Sequence, residues 1–187
     1  MKTIATPLEG LLVIEPKIFG DKRGFFMETH HQLRYRECGI DRIFVQDNLS
    51  FSVKGTLRGL HFQITKPQAK LVQALTGEIF DVAADIRPDS PTFGKWFGIH
   101  LSEQNKYQLF IPEGFAHGFC VLSESAHFAY KCSDYYDPQD EGGILWSDHT
   151  LAIDWPVNNP IVSEKDSRFS PLSELTPEGL YAQVTKT

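Results

Sequence analysis

His61 sits between two cations, Arg58 and Lys70, in a segment otherwise made of apolar strand formers. It reads Gly55-Thr56-Leu57-Arg58-Gly59-Leu60-His61-Phe62-Gln63 and, past a Lys66-Pro67 turn, Lys70-Leu71-Val72. Strand surfaces usually carry such residues toward solvent. Set among Leu57, Leu60, Phe62, Leu71 and Leu75, some of these are expected to point inward. An inward imidazole beside an inward cation suits removal of a proton next to a carbonyl, because the base takes the C–H and the cation steadies the oxyanion. Taken alone, each has a plainer reading. His61 is equally a packed strand histidine, Lys70 a strand-edge lysine, and Tyr130, which shares strand parity with Phe128 and Cys132, a core tyrosine.

The elements that must position these groups are short strands. Apolar and alternating runs recur at 11–16, 43–51, 57–64, 69–75, 78–85, 96–101, 108–111, 118–122 and 127–132. Turn residues separate many of them, among them Lys66-Pro67, Gly77, Arg87-Pro88-Asp89-Ser90-Pro91 and Pro112-Glu113-Gly114. Many short strands with regular turns specify an antiparallel sandwich or jelly-roll barrel. A short helix is expected before Gly39, and another near the C-terminus. After Asp137-Pro138 the chain reads as an irregular tail packed on the barrel through Trp146 and Trp155. With no repeat and no linker, residues 1–187 are expected to form a single domain. One difficulty is built into the segment. Arg58 and His61 fall on opposite faces of an ideal strand. They converge only if Gly59 makes a bulge, which inserts a residue and reverses the facing of the residues beyond it.

The bulk numbers exclude several classes of function. A net charge of −6 argues against nucleic acid or an anionic membrane as the main partner. The 41% hydrophobic content is ordinary for a globule, and no apolar stretch approaches the ~20 residues of a membrane span. Cys38, Cys120 and Cys132 have neither CxxC nor zinc spacing and read as reduced thiols. The N-terminus lacks the apolar run of a signal peptide, so the expected location is cytoplasmic. No P-loop or GxGxxG is present, so a diphosphate would need other cationic donors, for which Arg23, Arg58 and Lys165 are the candidates. Gln46 and Asn48, on one strand face, could bond its oxygens.

Gly55 and His61, with Pro112-Glu113-Gly114-Phe115-Ala116-His117 much later in the chain, resemble the two cupin motifs. Metal-binding cupins carry a second histidine where Gln63 stands, and a Glu before the position of Lys70. Two histidines and a glutamine make a poor divalent site, so the barrel is kept and no metal or cofactor is expected. A metal-dependent cupin oxygenase or isomerase is the rival from another class, and elemental analysis separates it.

A longer series is more specific: Asp21-x-Arg23-Gly24-x-Phe26-x-Glu28, Gln46-Asp47-Asn48-x-Ser50, Leu57 to Gln63, Lys70-Leu71-Val72, His117-Gly118-Phe119, Tyr130-Lys131, Tyr135-Tyr136-Asp137-Pro138 and Ser163-Glu164-Lys165-Asp166. In this order it resembles the dTDP-4-dehydrorhamnose 3,5-epimerase family, cupin-like epimerases of rhamnose biosynthesis. The resemblance implies a substrate, dTDP-4-keto-6-deoxyglucose, inverted at C3 and C5 without cofactor. It implies His61 as base, Asp166 as the acceptor that orients it, Lys70 as enolate stabiliser and Tyr130 as the acid on the opposite face. It further implies Arg23, Phe26, Glu28, Gln46, Asp47, Asn48, Arg58, His117, Phe119, Tyr136, Glu141 and Lys165 as substrate-binding residues, with Tyr136 stacked on thymine. Family members are homodimers that exchange N-terminal strands, so Arg23, Phe26 and Glu28 are expected to reach the neighbour's pocket. An epimerase that inverts one centre only would carry nearly the same set. The chain departs from the family after Asp166, where Ser167-Arg168-Phe169-Ser170-Pro171 replaces the usual small residues.

Overall fold

The computed structural model describes residues 1–180. Thirteen strands run in chain order: β1 (Lys2–Ala5), β2 (Leu12–Glu15), β3 (Ile18–Asp21), β4 (Gly24–Met27), β5 (Gln46–Val53), β6 (Leu57–Gln63), β7 (Lys70–Thr76), β8 (Glu78–Asp85), β9 (Trp96–Ser102), β10 (Gln108–Ile111), β11 (Phe115–Val121), β12 (Ser125–Cys132) and β13 (Glu141–Gly143). A helix, α1 (Gln32–Glu37), comes after β4, and α2 (Pro177–Leu180) ends the described chain. The strands form a six-stranded sheet, β1-β2-β10-β7-β12-β5, and a five-stranded sheet, β13-β6-β11-β8-β9. A separate hairpin pairs β3 with β4. The strand pairings are antiparallel. The protein is therefore mainly β, as the alternation and turns implied.

Alternation assigns each strand two surfaces. Between the sheets lie Val72, Ala74, Ile79, Ala83, Leu109, Phe119 and Phe128, all buried. The outer surface of the five-stranded sheet, with Leu57, Leu60, Phe62, Val82, Ala84 and Cys120, is covered by Ile144, Leu151, Trp155 and Leu172 from the C-terminal tail. β11 is thus buried on both faces along its whole length. Trp96 and Trp155 satisfy their indole N–H groups on the carbonyls of Leu151 and Trp146, both at 2.9 Å, which ties the tail down. Burying an aromatic body while its N–H finds an acceptor is how such residues staple irregular chain to a sheet.

Other strands lie outside the runs named above: β1, exposed along its length, the β3–β4 hairpin, and β13, where the chain read as irregular. Each is an edge or hairpin strand whose pairing is set by its neighbour rather than by its own pattern. α1 is the short helix expected before Gly39, which stands after it with φ +90°. The three cysteines are free thiols. Among the described residues no helix is long and apolar enough to cross a membrane.

Candidate active site

The two sheets open at one end into a cleft of about 280 Å³. Its floor depends on the expected irregularity in β6. His117 of β11 pairs with His61, but Phe119 pairs with Arg58, so three steps on β6 span two on β11. The extra residue flips the pattern. Leu57, Leu60 and Phe62 all face the tail, whereas Arg58 and His61 both line the cleft. The bulge requires glycine on both strands. Gly59 has φ +121°, and a Cβ there would come within 2.6 Å of Gly118 Cα. A Cβ on Gly118 would come within 2.8 Å of the Arg58 carbonyl oxygen. Two backbones this close leave no room for a side chain.

His61 is held from behind by Asp166. Its Nε2 lies 2.8 Å from Asp166 Oδ1, and the backbone N–H of Gly59 donates to Oδ2 at 3.1 Å. Asp166 sits in a short turn, Asp166–Arg168, and is itself buried, with its backbone N–H donating to Ser163 Oγ at 3.0 Å. Burial pulls this carboxyl's pKa upward. Hydrogen bonds and charge from His61, with the bonds from Gly59 and Ser163, outweigh burial and hold the pKa below the usual carboxylate value. An ionised Asp166 can only accept, so Nε2 carries a proton, and in the neutral ring the lone pair lies on Nδ1.

A second histidine–carboxylate pair lies deeper. His117 Nε2 is 3.0 and 3.1 Å from the two oxygens of Asp81, and both residues are buried. Burial drives the pKa of His117 down despite the favourable charge of Asp81. Phe128 stacks on its ring at 5.9 Å between centroids.

The opposite wall comes from the six-stranded sheet. β7 contributes Lys70, β12 contributes Phe128, Tyr130 and Cys132, and β5 contributes Gln46, Asn48 and Ser50. Burial pushes the Lys70 ammonium pKa down, partly offset by Cys132, Glu141 and Asp81. Burial raises the Tyr130 phenol, which keeps it protonated near neutrality. At the mouth, Tyr136 Oη donates to Glu141 Oε2 at 2.7 Å, and this bond lifts the phenol pKa to about 12. Lys165 Nζ donates to both Glu141 oxygens, at 2.8 and 2.9 Å. Burial alone would raise the Glu141 pKa, but the bonds from Lys165 and Tyr136 keep it low.

The comparisons with known proteins agree with this geometry. The model of the dTDP-4-dehydrorhamnose 3,5-epimerase family matches residues 5–174. The chain belongs to that family. A dTDP-4-dehydrorhamnose 3,5-epimerase from Shigella flexneri is 56% identical over 168 residues, covering 89% of this chain and 93% of the relative. The crystal structure of the Legionella pneumophila dTDP-6-deoxy-D-glucose-3,5-epimerase, in complex with dTDP-4-keto-L-rhamnose, superposes with a TM-score of 0.93 at 53% identity, covering 96% of this chain and 97% of that one. A Streptomyces niveus relative named dTDP-4-dehydrorhamnose 3-epimerase is 40% identical, over 92% of this chain and 84% of its own length. The protein is thus an isomerase of the epimerase type with the cupin-like fold.

Within this epimerase, most residues singled out from the sequence meet in the one cleft. His61, Lys70, Tyr130, Gln46, Asn48, Arg58, His117, Phe119, Tyr136, Glu141 and Lys165 line it, and Asp166 lies directly behind. Asp47 does not. Strand alternation turns it to the outer face, where Lys131 Nζ donates to it at 2.8 Å. Arg23, Phe26 and Glu28 do not line this chain's own cleft either. Arg23 pairs with Asp21 at the tip of the β3–β4 hairpin, Phe26 is 64% exposed, and Glu28 pairs with Arg34.

Sequence reasoning missed Asp81, Gln68, Phe128 and Cys132. Asp81 carried a signal: a lone carboxylate in the apolar run Phe80 to Ala84 must have a partner if the strand is buried. Gln63, taken as a replaced cupin ligand, has a different job. Its Oε1 accepts from the Asp137 N–H at 2.7 Å, and its Nε2 donates to the carbonyls of Lys66 at 2.8 Å and Tyr135 at 3.3 Å. It anchors the loop that presents Tyr136.

Proposed function

We propose that this epimerase inverts C3 and C5 of dTDP-4-keto-6-deoxyglucose, giving dTDP-4-keto-L-rhamnose by proton transfer alone. The observation that carries the reading is that His61 and Tyr130 stand on opposing sheets across one cleft, with Lys70 on the strand next to the phenol's in the same sheet. Nδ1 of His61 takes the proton next to the C4 ketone. Lys70, an ammonium with a depressed pKa, donates to the developing enolate oxygen. Tyr130, held neutral, returns a proton from the other side, which turns deprotonation into inversion. The diphosphate is met by Arg58 and Lys165, its oxygens by Gln46 and Asn48, and thymine by the ring of Tyr136.

The test supplies dTDP-4-keto-6-deoxyglucose in D2O and tracks the sugar by NMR, with a 4-keto reductase and NADPH consuming the product. Deuterium is expected at both C3 and C5. Incorporation at one carbon alone would make this a single-centre epimerase. No turnover would overturn the assignment.

We further infer a homodimer in which Arg23, Phe26 and Glu28 complete the neighbour's cleft. β1 pairs with β2 of its own chain, so the element free to cross is the β3–β4 hairpin. That hairpin exposes Phe19, Phe25 and Phe26, and the outer face of β5 exposes Leu49, Phe51 and Val53. Exposed apolar area of this kind marks an interface. Sedimentation velocity is expected to give a dimer, and a stable monomer at assay concentration would sink the inference.

A further inference from the structure

The stretch after Asp166 brings an aromatic ring against the base. The Phe169 ring lies 5.8 Å from the His61 imidazole, centroid to centroid, with the planes at 72°. Its space exists because the residue opposite His61 on β13 is Gly143. A Cβ on Gly143 would come within 2.3 Å of Phe169 Cε2 and 2.4 Å of Cζ. The chain beyond the ring is fixed at two points. Leu145 N–H donates to the Ser170 carbonyl at 3.0 Å, and the Leu172 N–H donates to buried Asp148 at 2.8 Å. A single short stretch therefore delivers both the carboxylate and the ring to one imidazole.

The two contacts constrain different things. The bond from Nε2 to Asp166 fixes one atom of the ring but leaves rotation about that atom open. The His61 side chain is 27% exposed, so part of its ring meets no packing surface. A second contact away from the hydrogen bond defines the plane, and with it the direction of the Nδ1 lone pair. A phenyl ring can do this without committing Nδ1, since it neither donates nor accepts a conventional hydrogen bond.

We propose that Phe169 is a positioning residue that sets the plane of the His61 imidazole, and that Gly143 is glycine to admit it. This rests on the reading of His61 as the base. Phe169→Ala is expected to lower kcat about tenfold to hundredfold, the scale set by ångström-level misplacement of a catalytic group, with KM changed by less than about twofold. Phe169→Leu, which keeps bulk at the site, should restore most of kcat. The downfield Nε2–H resonance of His61 is expected to be sharp in the wild type and to broaden in Phe169→Ala. Gly143→Ala should displace the ring and reproduce the loss. The double variant should lose no more than Phe169→Ala alone, because the methyl then occupies vacated space.

The proposal fails if kcat of Phe169→Ala stays within about twofold of wild type, if the two losses multiply, or if kcat falls only with the melting temperature while the imidazole resonance is unchanged. Should Phe169→Ala not fold, Phe169→Leu and Gly143→Ala carry the same readouts. A fully active His61→Asn enzyme, run alongside, would overturn the base assignment by itself. The resonance would still report whether Phe169 orders the ring.

Discussion

Replacing His61 with asparagine is expected to lower epimerisation by ~10²–10⁴-fold or more, the usual cost of a lost general base. Asparagine carries its amide at the level of Nδ1 and does not reach Asp166, but that buried carboxylate still accepts from the Gly59 N–H and so is not left without a partner. What disappears is the nitrogen lone pair that faces the cleft. Both inversions begin with proton removal, so deuterium entry from solvent should fall at C3 and C5 together. The coupled assay and NMR exchange in D2O measure the two effects on one sample. Exchange at the wild-type rate at either carbon would require a different base there.

The second large effect is a separation of two rates. Tyr130→Phe should reduce net product formation by ~10²–10⁴-fold, the range for a positioned acid, while solvent exchange survives better. His61 still removes the proton, and the enolate still meets Lys70. Without the phenol the proton returns from the side it left, so isotope enters but configuration stays. The substitution is mild structurally. The phenol packs beside Phe128, with centroids 5.5 Å apart, and phenylalanine keeps that contact. If exchange and epimerisation fall equally, Tyr130 is not the reprotonating acid. Lys70→Ala offers the contrast, because an enolate common to both outcomes should slow both.

The cleft explains why the nucleotide end needs no glycine-rich phosphate loop. Arg58 Nε donates to Ser52 Oγ at 3.1 Å, which leaves its terminal nitrogens for a ligand. Lys165 is held by Glu141, and Glu141 also holds Tyr136. One carboxylate therefore orients both the cation proposed for phosphate and the ring proposed for the base. Its low pKa keeps it charged and able to hold both through the neutral range.

Barrel architecture, most strand positions and the first candidates, Arg58, His61 and Lys70, came from local information, whereas Asp166, His117, Tyr136 and Glu141 were named only through the family resemblance. Alternation of side chains and turn residues such as Lys66-Pro67 act over a few residues, so they can be read without knowing the partner strand. The same alternation foretold the bulge at Gly59, since Arg58 and His61 could share a cleft in no other way. Pairing is not local. β1, β3 and β13 are strands because a neighbour presents free backbone groups to them, and nothing in their own composition requires it. Asp81 found its histidine, Gln63 its loop and Phe169 its place beside His61 only when distant segments packed. A buried polar group must be matched and a filled space is exclusive, and which group or ring meets that demand is decided by the closed fold.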